Sequence, residues 1–207
     1  MAHSRPRDGR HRYLHPAPRE AEKGPRRACR KGHIFTVVAD RKHVFYYYTP
    51  RETSAAVAQI FRGFSGYVQA DAKSVFDVLY VPPEKRTSRD GEPPDEGVRE
   101  EVGCWAHARR KFWEAATARI AVAREALFRI HRIYEIDAAL RGKPPSAITE
   151  GRRQRMAPEM RAFFTWAEAE AERLGDARGM LRSAFGYALR QREALMRPLE
   201  DLSLIHI

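Results

Sequence analysis

The chain has 207 residues, 43% of them apolar, enough for one ordinary domain or two small ones with a real core. No apolar run approaches the about 18 residues of a membrane-spanning helix, and no apolar stretch follows the basic N-terminus as a signal peptide would require. The net charge of +11 invites a polyanionic partner, but +7 of it falls in residues 1–32, where eight Arg and two Lys face Asp8, Glu20 and Glu22.

That N-terminal segment is rich in Arg, Pro, Gly and His, and it lacks the apolar surface to offset its chain entropy. It reads as a disordered basic arm over 1–32, with order expected from His33. Residues 33–39 and 43–48 are rich in β-branched and aromatic side chains around a short polar break, which predicts a hairpin. Tyr46, Tyr47 and Tyr48 are expected to alternate between core and surface rather than to form a base-stacking platform. A helix is expected next, with Thr49 as N-cap, Pro50 in the first turn and Glu52 completing a capping box. Gly66 to Asp71 reads as a short strand ending on a carboxylate, and Val75, Val78 and Leu79 suggest a brief helix after it.

The proline-rich stretch 82–97 is expected to be a surface loop, and 98–104 one more strand. From there the pattern is helical. One long stripe runs Phe112, Ala116, Ile120, Ala123, Leu127, Ile130 and Tyr134, and Gly142 with Pro144 and Pro145 stops it. A second stripe runs from Met156 through Met160, Phe163, Ala167 and Ala171 to Leu174. A third helix, about 177–197, places Leu181, Ala184, Ala188 and Leu195 on one side.

Several residues could carry chemistry. Asp71 sits where a divalent-metal ligand often sits, although an Asp after a strand is more often a turn residue. Cys104 and His107 are spaced as half a metal site, but Cys29 in the basic arm is a poor second half, so structural zinc is not the expectation. The two cysteines lie far apart in unlike contexts, which argues against a disulfide framework and for a reducing cytosol. Arg109, Arg110 and Lys111 near a helix start oppose the macrodipole. That makes sense if they face a phosphate, or equally if they form a solvated basic face.

The strings Gly66-Tyr67-Val68-Gln69-Ala70-Asp71 and Glu101-Val102-Gly103-Cys104-Trp105-Ala106-His107-Ala108-Arg109-Arg110-Lys111-Phe112 resemble the central domain of insertion sequence 66 transposases. Thr49-Pro50-Arg51 and Arg197-Pro198-Leu199-Glu200-Asp201 fit the same family, so the resemblance spans about 32–201. It implies an α+β chain: a partial ribonuclease-H-like mixed sheet over 33–103, a large all-helical insertion over 104–201, and a non-family tail over 202–207. It also implies DNA transposition with Mg2+ or Mn2+ held between three carboxylates, in a bacterial cytoplasmic protein whose partner is transposon-end DNA and whose intact form can be a homo-oligomer.

Asp71 maps onto the second carboxylate and is the expected metal ligand and catalytic residue. Cys104 and His107 map onto a signature at the start of the insertion thought to help position DNA, with Arg109, Arg110 and Lys111 as phosphate contacts. The first Asp and the third Glu of the triad have no counterpart here. The one Asp-Gly upstream of the hairpin, Asp8-Gly9, stands among arginines, and Glu200 belongs to the motif before the missing Glu. The chain is therefore expected not to hold two metal ions stably and to be inactive alone. The alternatives are a non-catalytic nucleic-acid-binding module acting through the basic arm and the Arg109–Lys111 cluster, and a helical interaction domain with exposed apolar stripes.

Overall fold

A computed structural model describes residues 13–16, 29–39, 42–87, 91, 93–117 and 121–200. The chain divides into two compact units, Met1–Glu101 and Val102–Ile207, a boundary two residues before the expected one at 103.

In the first unit, β1 (Tyr13–Pro16), β2 (Cys29–Ala39) and β3 (His43–Thr49) form an antiparallel sheet in the order β1-β2-β3. Tyr13 pairs with Gly32 and His33 with Thr49, so β2 begins four residues before His33 and part of the basic arm is a strand. The rest of the arm, the tail 202–207 and most of the polar break lie outside the described residues. The hairpin itself forms as expected. The expected alternation along β3 does not occur, because Val44, Phe45, Tyr46, Tyr47 and Tyr48 are all exposed. The strand is hydrogen-bonded to β2 on one side, and among the described residues neither of its faces is covered.

Helix α1 (Ser54–Ile60) starts later than its sequence suggests. Thr53, not Thr49, is the N-cap, and its Oγ1 accepts a hydrogen bond from Ala56 N at 3.2 Å. Glu52 does not complete a capping box, because its carboxylate is drawn to Lys73 Nζ at 3.1 Å. The short strands β4 (Gly66–Gln69) and β5 (Arg99–Val102) pair as a separate two-stranded sheet, and a 3-10 turn follows β4 over Ser74–Tyr80. Phe35 from β2, Val57 and Phe61 from and after α1, Val68, Ala70, Phe76 and Leu79 form the core.

The stretch 82–97 is less of a free surface loop than its prolines suggest. Arg86 donates to the carbonyls of Val81 at 2.8 Å, Asp95 at 2.8 Å and Gly97 at 2.7 Å. Arg99, its side chain 1% exposed, donates to Phe61 O and to Asp95 Oδ2, each at 2.6 Å. Burial by itself would raise the Asp95 carboxyl. The Arg99 hydrogen bond, the backbone N–H groups of Gly63 and Gly97 and the Arg99 charge outweigh it and hold the group at about 2.

The second unit is helical. The single long helix expected from Phe112 to Tyr134 is two helices, α2 (Trp105–Thr117) and α3 (Ala121–Leu140), packed against each other. The buried face of α3 is Ala123, Ala126, Ile130, Ile133, Asp137 and Leu140, so Leu127 and Tyr134 sit at its margin. After α4 (Pro145–Gly151), a π-helical segment over Arg152–Met156 leads into α5 (Ala157–Leu174), which Gly175 ends with φ 51°. The expected third helix is α6 (Met180–Arg190) and α7 (Arg192–Met196), closed by a 3-10 turn at Arg197–Leu199.

Trp105, Phe112, Phe163, Phe164 and Phe185 are fully buried, with Trp105 and Phe163 ring centroids 5.4 Å apart and Phe112 and Phe185 5.1 Å apart. Each such ring contributes about 2–3 kcal/mol of burial. Most of the expected stripe residues are therefore packed on one another, while Trp113, Phe128 and Met180 of the same unit remain exposed. No described helix is long and apolar enough to cross a membrane.

Candidate functional site

Asp71 lies two residues beyond the end of β4, not on the strand itself. Its side chain is 7% exposed, and its two oxygens face one lysine: Oδ1 accepts from Lys73 N at 3.3 Å and Oδ2 lies 3.9 Å from Lys73 Nζ. The intervening Ala72 has φ 54°, a left-handed conformation that a residue with a Cβ seldom adopts. The chain thus turns sharply at the carboxylate and folds the following backbone N–H back onto it. Nearby, Tyr80 donates to Val68 O at 3.2 Å. Its hydroxyl is pushed well up, first by burial and then by the negative charges of Glu101, Asp77 and Asp71. Glu101 and Asp77 were not singled out from sequence, because surface-like acids on a strand and a 3-10 turn carry no local mark.

A two-metal centre needs several converging oxygen ligands. Among the described residues no group of three or more His, Cys, Asp or Glu side chains is arranged to hold a metal ion, and the oxygens of Asp71 are turned to Lys73. The donor set present does not fit a pair of divalent ions.

The other expected site residues are in the second unit, brought together at the start of α2. Cys104 caps the helix through its backbone: its carbonyl accepts from His107 N at 3.0 Å and Ala108 N at 3.2 Å. Its thiol is free and half-buried, and the His107 side chain is also half-buried. The residues on either side of Cys104 hold the unit closed. Gly103 N donates to Ala194 O at 2.8 Å, and Trp105 Nε1 donates to Leu195 O at 2.9 Å. A Cβ at Gly103 would lie 2.8 Å from both Cγ and the backbone N of Leu195, so only glycine fits that close approach. Further on, the buried Arg152 donates from Nη1 to Pro198 O at 2.8 Å.

Arg109 and Arg110 point to solvent and have no ionic or hydrogen-bonding partner among the described residues. Lys111 differs from them. The helical period turns it toward α6, where its ammonium lies 5.1 Å from the centre of the Tyr187 ring. Helix α6 carries Arg182 and Arg190 and no acid, and α2 carries one acid, Glu114. A methyl group placed on Gly186 would lie 3.1 Å from Arg190 Nη1 and 4.0 Å from Arg182 Nη1. The two guanidinium groups therefore converge over a bare stretch of helix. Elsewhere in this unit most cations have carboxylate partners, as Arg132 has Glu159 at 2.6 Å and Arg192 has Glu168 at 2.5 Å. Arg182 and Arg190 were not singled out from sequence, because nothing local shows that α6 packs against α2.

A family model described as "Transposase IS66 family" matches residues 17–205. The chain belongs to that family. The match is wider than the 32–201 expected from the motifs, starting inside the basic arm and running into the expected tail. The chain is also similar to "Uncharacterized protein y4qI" of Sinorhizobium fredii (strain NBRC 101917 / NGR234), with 29% identity over 161 residues. The similarity covers 76% of this chain and 28% of that relative, so the chain spans well under a third of the relative's length. No solved structure matches.

Proposed function

We propose that this chain is a piece of a bacterial, cytoplasmic DDE-type transposase that binds DNA without cutting it. In this reading residues 33–103 are part of a ribonuclease-H-like core and 104–201 are a helical insertion. Asp71 is the second carboxylate of the triad. The observation that carries the reading is how the helical unit closes. A segment inserted into a host fold must leave and return at nearly the same place, and chain termini that meet are what make insertion tolerable. Here residues 103–105 are tied to 194–195 by two hydrogen bonds, one of them from the indole of the Gly-Cys-Trp motif. The entry and exit of the helical unit are thus one locus.

In the intact family, divalent ions supply the chemistry by activating water or a DNA 3′-hydroxyl and stabilising the leaving oxygen. In this reading the chain contributes binding and not hydrolysis. Arg109 and Arg110 act as phosphate contacts, and Arg182 and Arg190 on the packed helix α6 add positive charge to the same unit. Lys111 has a smaller part, since its ammonium lies over an aromatic ring.

The test is fluorescence anisotropy with a labelled duplex over a range of salt. Binding should weaken steeply with salt, and Arg109→Glu with Arg110→Glu should lower the log–log slope by about two. An unchanged slope would remove these residues from the interface. A module that binds nucleic acid through the basic arm instead would lose its affinity on deletion of residues 1–28 and keep it in the double variant.

A further inference from the structure

The first unit contains a cavity of about 860 Å³, within the size range of small-molecule sites. Among the described residues five cationic side chains line it, Arg51, Arg62, Lys85, Arg86 and Arg99, against one carboxylate, Asp95. That carboxylate is already fully engaged. It accepts from Arg99 Nη2 at 2.6 Å, from Gly63 N at 2.9 Å and from Gly97 N at 3.3 Å, and Arg86 Nη1 lies 3.3 Å from Oδ2. A carboxylate offers about four acceptor positions, so none remains for Arg51 or Lys85. Both are exposed and have no side-chain partner among the described residues.

Arg99 supplies the second, independent observation. Its side chain is 1% exposed, two of its contacts leave through Nη2, and its buried Nε–H has no acceptor among the described residues. A buried guanidinium donor left unmet in a cavity wall is costly, and an anion entering the cavity would meet it. Repulsion acts here too: the Arg86 guanidinium is held below its usual range first by burial and then by the charge of Arg99.

We propose that this cavity is a binding site for a phosphate group, held by Arg51 and Lys85 at its rim and Arg99 at its wall. Guanidinium forks match the oxygens of a phosphate, and the surplus of cations suits a ligand carrying more than one negative charge. The phosphate is a free phosphate ion or that of a nucleic-acid backbone, and the probes below separate the two. The site lies in a different unit from Arg109 and Arg110, and the proposal stands or falls independently of the transposase reading.

The test is isothermal titration of the full chain at fixed ionic strength, with inorganic phosphate and, separately, a 5′-phosphorylated dinucleotide. Saturable one-to-one binding is expected. Arg51→Glu with Lys85→Glu should weaken it about tenfold or more. Arg124→Glu with Arg161→Glu, exposed positions of the second unit with the same change in net charge, should leave it within about twofold. Circular dichroism would verify that both variants are folded. Tighter binding of the dinucleotide would assign a nucleic-acid backbone as the source, and equal binding a free phosphate. Absence of saturable binding, or equal weakening by the two double variants, would overturn the proposal.

Discussion

Replacing Trp105 by Phe tests the claim that the Gly-Cys-Trp segment closes the helical unit. The substitution keeps an aromatic ring but removes the indole N–H that donates to Leu195 O at 2.9 Å. Leaving a buried carbonyl without its donor costs about 1–3 kcal/mol. The smaller ring also leaves a void beside Phe163 and Phe164, whose centroids lie 5.4 and 5.9 Å away, worth about 1 kcal/mol more. The combined loss is about 2–4 kcal/mol. For a unit of roughly a hundred residues this corresponds to a fall in Tm of about 10–25 °C. Thermal unfolding followed by helical circular dichroism reads the change directly, because most of the helix lies in Val102–Ile207. A shift smaller than about 2 °C would show that the indole is not a tie, and the inserted-segment argument would lose its main support.

Four further outcomes follow from the structure. Gly103→Ala forces a Cβ to within 2.8 Å of Leu195, so calorimetry should show a loss of about 1–3 kcal/mol. Cys104→Ala, which leaves the capping carbonyl in place, should cost less than about 1 kcal/mol. The Asp95 carboxyl is depressed to about 2 from an ordinary 3.8, so its stabilisation of the first unit, about 2 kcal/mol, is fully present above about pH 4. It is lost as the pH falls from about 4 to about 2. In Asp95→Asn that acid-dependent step should vanish from a pH series of urea melts, and the unpaired Arg99 should lower stability at pH 7 by about 3 kcal/mol. Arg109→Glu with Arg110→Glu should reduce the salt dependence of DNA binding without changing the melting profile, because both side chains are solvent-facing.

The sequence pattern carried the local order of elements well. The hairpin, the α5 stripe ending at Gly175 and the break after Leu140 all follow from periodicity and from Gly and Pro. What it could not carry were outcomes decided by distant partners. Thr49 and Glu52 have the spacing of a capping box, yet Lys73, twenty-one residues on, takes the Glu52 carboxylate and the helix starts at Ser54. The stripe from Phe112 to Tyr134 continues in phase across Thr117–Ala121 with no Gly or Pro, so nothing local announces that the chain divides there into two packed helices. Asp95 in a proline-rich stretch looks like a solvated charge. Its importance comes from Gly63 and Arg99, residues that meet it only once the unit folds.

The candidate site was legible as a motif but not as a division of labour. Gly103 and Trp105 serve the fold, Cys104 serves it through its carbonyl, and Arg109 and Arg110 are exposed with no partner among the described residues.

The central claim, DNA binding without cleavage, is tested most directly by incubating the chain with supercoiled plasmid bearing the element's ends, in Mg2+ or Mn2+, and following both retardation and nicking. The account predicts retardation that fades with salt and no nicked product above the metal-free background. Nicking that requires the divalent ion and disappears in Asp71→Asn would contradict it, and would mean that this chain assembles a working metal centre around Asp71.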